Sequence, residues 1–479
     1  MRYTRTGDEC SAAVGRRPGA PAALAAVRAP VTLSRMGNRL LLLGRRAVIV
    51  LALVALTALL VRMPHAPHAG TTAMMLGFTL LAAYIAGGAA ATIGLPRVTG
   101  YVLIGIAVGP FALEVLSAEM VADLRTIDEL ALALIALTAG GELKIKDLRK
   151  MAAQIIGVGL SVMAIVVIGI VVLVLAARPW LPLLADRPLG FAFAIALLLG
   201  IWCANSSPDA TIAVINETGS RGPVTETILG VTVFKDVLVI IAFAAALSFA
   251  GPLTSPDASL DASVLTTVAW EVGGALVIGA LVGWIFSVYL VRVGARSILA
   301  TLIFTFVLTQ IAHEVHVELL LLAIAAGFVV ENFSKAGDEL MNALEANAIV
   351  VFALFFALAG AALDLGTLGR FWAVALVVVA VRLALTWLGV WAAGRVVDLG
   401  DAVGRLTWRG LISQAGVTLG LSLLVAEAFP EWGGTFVAIT AAVIIVHLLV
   451  GPVLLKTALT ASGEAKGPQI YRKRKAEAS

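Results

Sequence analysis

The sequence predicts an all-α integral membrane protein of about fourteen transmembrane helices, arranged as two inverted six-helix repeats with broken helices. Three observations carry that prediction. Of the 479 residues, 60% are apolar and 13% charged, and the mean hydropathy is +1.01; a soluble chain of this length cannot bury so much apolar surface with so little charge left outside. The apolar residues fall in blocks of about 17–25, the length that crosses roughly 30 Å of hydrocarbon as helix. Two of those blocks are interrupted by polar residues at matching places in the order. Strand-type alternation is absent, which excludes a β-barrel. Cys10 and Cys203, the two cysteines, imply no disulfide framework. The net charge of +4 is read as topology rather than as nucleic-acid affinity.

Residues 1–46 are rich in Ala, Pro, Gly and Arg and read as a disordered cytoplasmic tail, with Met36 as an alternative translation start. An extra helix at 47–62 follows Arg45-Arg46 and precedes His65-Ala66-Pro67-His68; it reads as a retained span, with a cleaved signal sequence as the alternative. The main membrane domain runs over 71–458. Its spans are 71–94, 98–117, 127–142, 153–177, 189–216, 225–249, 264–291, 297–313, 317–333, 344–363, 371–394, 408–428 and 434–458. A short basic tail, 459–479, ends in Arg472-Lys473-Arg474-Lys475 and reads as an anchor near anionic lipid.

Counting Lys and Arg orients the chain. With the N-terminus inside, the inner loops hold twelve and the outer loops five, and the two ends add nine and six to the inside. That is the positive-inside bias, and it places both termini in the cytoplasm of a cell whose inner membrane holds the protein.

The sixth span reads Cys203-Ala204-Asn205-Ser206-Ser207-Pro208-Asp209-Ala210-Thr211. A proline beside small polar residues and a carboxylate breaks the helical ladder, and such backbone is tolerated at depth only against protein or a wet cavity. The thirteenth reads Arg409-Gly410-Leu411-Ile412-Ser413-Gln414-Ala415-Gly416. With the first span as an extra and the eighth as a connector, spans two to seven and nine to fourteen form two halves. An odd connector gives these halves opposite orientations. Inverted repeats with interrupted helices in corresponding places point to a midplane ion or substrate site, where unwound carbonyls and half-helix ends coordinate a cation.

Asp209, Lys235, Asp236 and Arg382 all lie inside predicted spans, where each costs about 2.5–3.5 kcal/mol or more if unpaired. The plainer reading is a salt-bridge cluster that only fastens helices, and it suits Arg382 best. Asp236 suits it least, because a lone carboxylate can take H⁺ or a small cation in turn. Lys235 is about 100° round the helix from it. At about 6 Å and an effective dielectric near 20, a lysine ammonium favours the carboxylate by roughly 3 kcal/mol, opposing the cost of burial.

Other polar residues read plainly. His313-Glu314-Val315-His316 is one residue too short for a zinc-protease helix and reads as solvated loop. His447 reads as a satisfied packing residue. Glu142, Glu331, Asp364 and Glu427 sit at helix ends, where snorkelling and capping suffice. Gly105/Gly109, Gly279/Gly283 and Gly416/Gly420 have the spacing of close helix packing. No phosphate-binding loop, nucleophile triad or resident metal or cofactor site is present in the pattern.

Ile93-Gly94-Leu95-Pro96-Arg97-Val98-Thr99-Gly100-Tyr101-Val102-Leu103-Ile104-Gly105, followed by Val108-Gly109-Pro110, resembles the first-repeat signature of the monovalent cation:proton antiporter superfamily. Glu129 to Leu134, Gly140-Gly141-Glu142-Leu143 and the Phe355-Phe356 stretch leading to Leu363-Asp364-Leu365 are similar to later parts of it, and the match spans 71–458. The resemblance implies a homodimer in which a core with two crossed broken helices moves against a scaffold. It implies that Asp236 binds ion or proton, with Asn205, Ser206, Ser207, Asp209 and Thr211 in the first crossing. Gly410, Ser413, Gln414 and Gly416 fall in the second, preceded by Arg382. Members commonly place Asp, Asn or Gln before the essential aspartate; Lys235 departs from that, and one carboxylate suggests one-for-one exchange. The expected activity is exchange of Na⁺ or K⁺ for H⁺. The alternative is an anion carrier of the same fold that uses Lys235 and Arg382 as the attraction.

Overall fold

The computed structural model describes residue 44 and residues 68–181, 183–254, 262–293, 298–335 and 337–466. The tail 1–46, the extra span at 47–62 and the Arg472–Lys475 cluster lie outside the described residues, apart from residue 44. The chain divides into two units, Met1–Arg45 and Arg46–Ser479, and the helices of the membrane domain all belong to the second.

The regular structure of that unit is helical among the described residues. In order the helices are α1 His68–Thr92, α2 Arg97–Val108, α3 Ala118–Asp123, α4 Arg125–Glu142, α5 Ile145–Ala177, α6 Leu189–Ala204, α7 Pro208–Thr218 and α8 Pro223–Thr254. The second half continues with α9 Ala262–Val293, α10 Ile298–Val315, α11 Leu319–Phe333, α12 Gly337–Ala361, α13 Leu365–Ala393, α14 Gly400–Gly410, α15 Gly416–Ala428 and α16 Gly433–Ala461. Every predicted span from 71 onward falls on a helix or on a broken pair. Among the described residues, seven segments are long and apolar enough to cross a membrane, and five shorter apolar helices accompany them.

Four boundaries differ from the sequence reading by seven residues or more, two of them because α5 begins at Ile145 rather than 153 and α12 at Gly337 rather than 344. The span drawn at 98–117 ends as helix at Val108, because Pro110 disfavours helix at the residue before it. Residues 109–117 then turn into the short α3, capped by Ser117 on the Met120 N–H (3.2 Å). The second broken segment begins at Gly400 rather than 408. Asp401, Arg405 and Arg409 give α14 a polar side, and a search for apolar runs misses an amphipathic helix.

The halves α1–α8 and α10–α16 are related by an inverted repeat that shows at the glycines. A Cβ on Gly105 (α2) would lie 2.1 Å from the Ala357 carbonyl oxygen of α12, and one on Gly360 would lie 2.4 Å from that of Val102. The pair α4–α11 repeats the arrangement: Gly327 against Leu137 O at 2.2 Å, and Gly140 against Ile324 O at 2.0 Å. In all four helices the glycine follows the facing carbonyl residue by three positions. Exchanging the halves turns α2 into α11 and α12 into α4, so one contact has been built twice.

Packing sorts the helices into two bundles. α1, α2, α4 and α9–α12 pack on one another, and α5–α8 pack with α13–α16. The bundles meet where α7 lies on α2, α4 and α12, where α16 meets α2, and where α8 meets α9. Gly279 and Gly283 seat α9 on the backbone of Leu322 and Ala326 in α11, the close packing expected of them; Gly420 has open space around it instead.

Candidate functional site

Both predicted interruptions are present and they cross. α6 stops at Ala204 and α7 restarts at Pro208, the first helical position, where a missing N–H costs nothing. Ser207 caps α7. In the other half α14 stops at Gly410 and α15 restarts at Gly416. The non-helical stretches are laced together: Ser207 N–H donates to Ser413 O (2.8 Å), Ser206 Oγ to Leu411 O (2.8 Å), and Gln414 Nε2 to Trp202 O (3.1 Å). Asn205 Nδ2 donates to Thr418 Oγ1 (3.2 Å). Four helix ends thus converge on one buried point, and each end leaves backbone groups to be satisfied.

Arg382 satisfies the carbonyls. It is 1% exposed, and it donates from Nε to Cys203 O (2.6 Å), from Nη1 to Ile412 O, and from Nη2 to Asn205 O and to Leu411 O (3.2 Å). These oxygens terminate α6 and α14, where the helix dipoles concentrate negative charge. The sequence reading offered the unwound carbonyls to a transported cation; the structure gives these four to a fixed guanidinium instead. A rigid fork of five donors is matched to several carbonyls at once in a way that a hydrated small ion is not.

Lys235 and Asp236 sit on α8 against the first break, 1% and 0% exposed. Lys235 Nζ donates to Ser206 Oγ at 2.9 Å. Neither oxygen of Asp236 accepts a hydrogen bond within normal geometry, although the Asn205 amide is close by. Asp209 is held by the Ser207 hydroxyl. Thr211 turns back to Ser207 O (2.9 Å) and is spent on its own helix. Ser413 Oγ and Gln414 Oε1 are buried without partners. Gly410 closes α14 against the side chain of Ile228, and Gly416 opens α15. So Asn205, Ser206, Ser207, Asp209, Lys235, Asp236, Arg382, Ser413 and Gln414 come together, and the Thr211 hydroxyl joins them through Ser207 O.

The remaining polar residues divide. His313 reaches Glu129 (2.8 Å) on the surface, and no metal-binding group of His, Cys, Asp and Glu occurs among the described residues. Asp364 caps α13 through Gly366 N (2.7 Å), and this hydrogen bonding, led by the Thr367 hydroxyl, holds its carboxyl below the usual carboxylate range. Glu331 pairs with Lys144 at 3.1 Å. His447 differs from its expectation: it is buried, yet neither ring nitrogen has a partner.

Sequence reasoning missed three carboxylates. Glu318, ahead of α11, caps that helix on Leu321 N (2.7 Å). It stands at the very edge of an apolar run, which hides it. Glu217 and Glu464 make long-range bonds that no local pattern announces.

Residues 76–461 match the family described as sodium/hydrogen exchanger, transmembrane. A probable Na⁺/H⁺ antiporter, GerT of Bacillus cereus, is 24% identical over 283 residues, covering 58% of this chain and 70% of its own. The solved structure of the sodium proton antiporter MjNhaP1 from Methanocaldococcus jannaschii at pH 8 shares the fold, with a TM-score of 0.62 at 16% identity over 82% of this chain and 97% of that one. An electron-microscopy map of the same antiporter gives 0.61 at 18% identity over 81% and 94%. The inverted-repeat helical fold with two interrupted helices defines a multi-pass membrane transporter of the antiporter class. This chain belongs to the sodium/hydrogen exchanger family.

Proposed function

We propose that the protein exchanges a monovalent cation, Na⁺ or K⁺, for H⁺ by alternating access, with Asp236 as the group that ion and proton occupy in turn. The observation that supports this is a fully buried carboxylate with two unpartnered oxygens at the crossing of two broken helices. An unpaired charge there is too costly to carry across the membrane. The carboxylate is therefore carried only when neutralised, by H⁺ in one direction and by the cation in the other, which makes the exchange obligatory. Ser413 Oγ and Gln414 Oε1 are further oxygens of the same region without partners. Asp209 is engaged by Ser207, and Lys235 takes the place of a second acid, so one proton per cation is the reading. The anion alternative loses Arg382, four of whose hydrogen bonds end on carbonyls.

The proposal includes a homodimer in the inner membrane, surrounded by lipid, with both termini cytoplasmic, and no nucleic-acid partner. Everted vesicles with an imposed pH gradient test it. Added Na⁺ or K⁺ is expected to dissipate the gradient, and Asp236→Asn to abolish that response while leaving the protein in the membrane. Failure of Na⁺, K⁺ and Li⁺ alike across a range of pH would sink the exchange reading, and full activity in Asp236→Asn would sink the site.

A further inference from the structure

Exchange by alternating access requires the bundle holding Asp236 (α5–α8, α13–α16) to move against the other, so contacts between bundles differ between end states. Among the polar contacts that cross between the bundles, one joins three elements. Glu217, on the last turn of α7, accepts the backbone N–H of Arg97 on Oε2 at 2.6 Å and the Lys456 ammonium on Oε1 at 3.0 Å. Lys456 Nζ also donates to Leu95 O at 2.9 Å. α7 and α16 belong to one bundle, while Leu95 and Arg97 belong to the loop and first turn joining α1 to α2 in the other.

The chemistry of each group favours this bond. Arg97 opens α2, and the residue before it is Pro96, which makes no side-chain cap. The first N–H groups of a helix lack internal partners and carry the positive end of the dipole, so a carboxylate is a fitting replacement cap. The Glu217 and Lys456 side chains are 11% and 23% exposed, which protects the pair from the screening that makes surface ion pairs weak. Arg221, just beyond α7, adds an exposed contact to Glu345 of α12 at 3.7 Å. Both tethers sit at the same end of the molecule, beside cavities of about 280 and 250 Å³ that lie between the bundles and that Ser220 and Arg221 both line.

We infer that Glu217 and Lys456 form a latch that fastens the Asp236 bundle to the α1–α2 loop in this end state and must release in every transport cycle. The inference rests on the exchange reading for its cyclic role. Its structural part, that the pair biases the population of this state, stands apart and is tested separately. A bond present in one end state and absent from the other shifts their ratio by its full strength.

Two measurements on the full chain, with Cys10 and Cys203 replaced by alanine, decide it. A short bifunctional thiol reagent joining Leu95→Cys to Lys456→Cys is expected to stop exchange in vesicles, and cleaving the linker to restore it. Undiminished exchange with the link in place would overturn the latch. Independently of transport, Ser220→Cys reports this mouth through its labelling rate with a membrane-impermeant maleimide. Glu217→Gln and Lys456→Met are each expected to change that rate by on the order of tenfold, and Lys456→Arg to return it to the parent value. An unchanged rate in both variants would overturn the latch even if exchange is normal. A parent protein that labels as expected but exchanges nothing would overturn the exchange reading and leave the latch standing.

Discussion

A guanidinium in the middle of a membrane bundle costs several kcal/mol unless its donors are used, and Arg382 uses them on four backbone oxygens from two helix ends. Arg382→Ala is expected to leave those carbonyls unsatisfied at about 1–3 kcal/mol each, and so to remove folded protein from the membrane. Arg382→Lys, a point charge with three donors, is expected to fold with a lowered Tm in detergent, read by fluorescence-detected gel filtration. Equal stability of all three proteins would show that the guanidinium is dispensable. Lys235 is expected to act on the ion rather than on the fold. It lies beside Asp236 with its one assigned bond to Ser206; Lys235→Gln keeps a donor there and removes a positive charge. The cation concentration for half-maximal exchange is expected to fall by roughly tenfold, the direction Coulomb's law gives for removing like charge near a cation site. A rise would mean that the ammonium helps to build the site. The identity of these residues was legible because charge inside an apolar run is conspicuous. Their partners were not: Arg382 and Cys203 are far apart in sequence, and only the crossing brings them together.

Helix ends and helix contacts set the next scale. α8, which carries Lys235 and Asp236, is capped from the far end of the chain: Glu464 accepts Val224 N (2.9 Å), Thr225 N (2.8 Å) and Thr225 Oγ1 (2.6 Å). Gly222 precedes it with φ 151°, and a Cβ there would lie 2.6 Å from the Glu464 carboxyl carbon. Glu464→Ala is expected to cost about 0.5–2 kcal/mol, the range for loss of an N-cap, seen as a lower Tm; no change would mean that water replaces the carboxylate without loss. Gly140→Val and Gly327→Val press on carbonyls 2.0 and 2.2 Å away and are expected to abolish monodisperse protein, since backbone cannot retreat as a side chain can. Gly77→Ala and Gly369→Ala, with open space around each glycine, are the controls and are expected to leave Tm unchanged. The breaks at Pro208 and Gly410 were legible because proline, glycine and polar residues interrupt an apolar run. The Glu464 cap was not, since its acceptor lies in the segment after 458 and its donors are about 240 residues earlier. α14 was half-hidden by its own polar side.

For the whole molecule, the order of interruptions disclosed the inverted repeat, but not which helices share a bundle. Helices apolar all round give no sign of which face meets protein and which meets lipid; the facing glycines supply that in three dimensions. The charge inventory of the moving part then bears on energetics. Arg382 is fixed among carbonyls, Lys235 is bonded to Ser206, and Asp209 to Ser207. Only Asp236 is left without a hydrogen-bonded partner among these four. If the bundle carries Asp236 once with H⁺ and once with a monovalent cation, it moves the same net charge both ways, and a full cycle transfers none. The ion gradient at which exchange reverses in proteoliposomes is therefore expected to be independent of an imposed membrane potential. A second proton per cation would instead couple one net charge, worth about 2.3 kcal/mol per 100 mV, and displace the reversal ratio by roughly fiftyfold. A shift of that size would place the second proton on Lys235 or Asp209, and alanine at each would tell them apart by which one restores indifference to voltage.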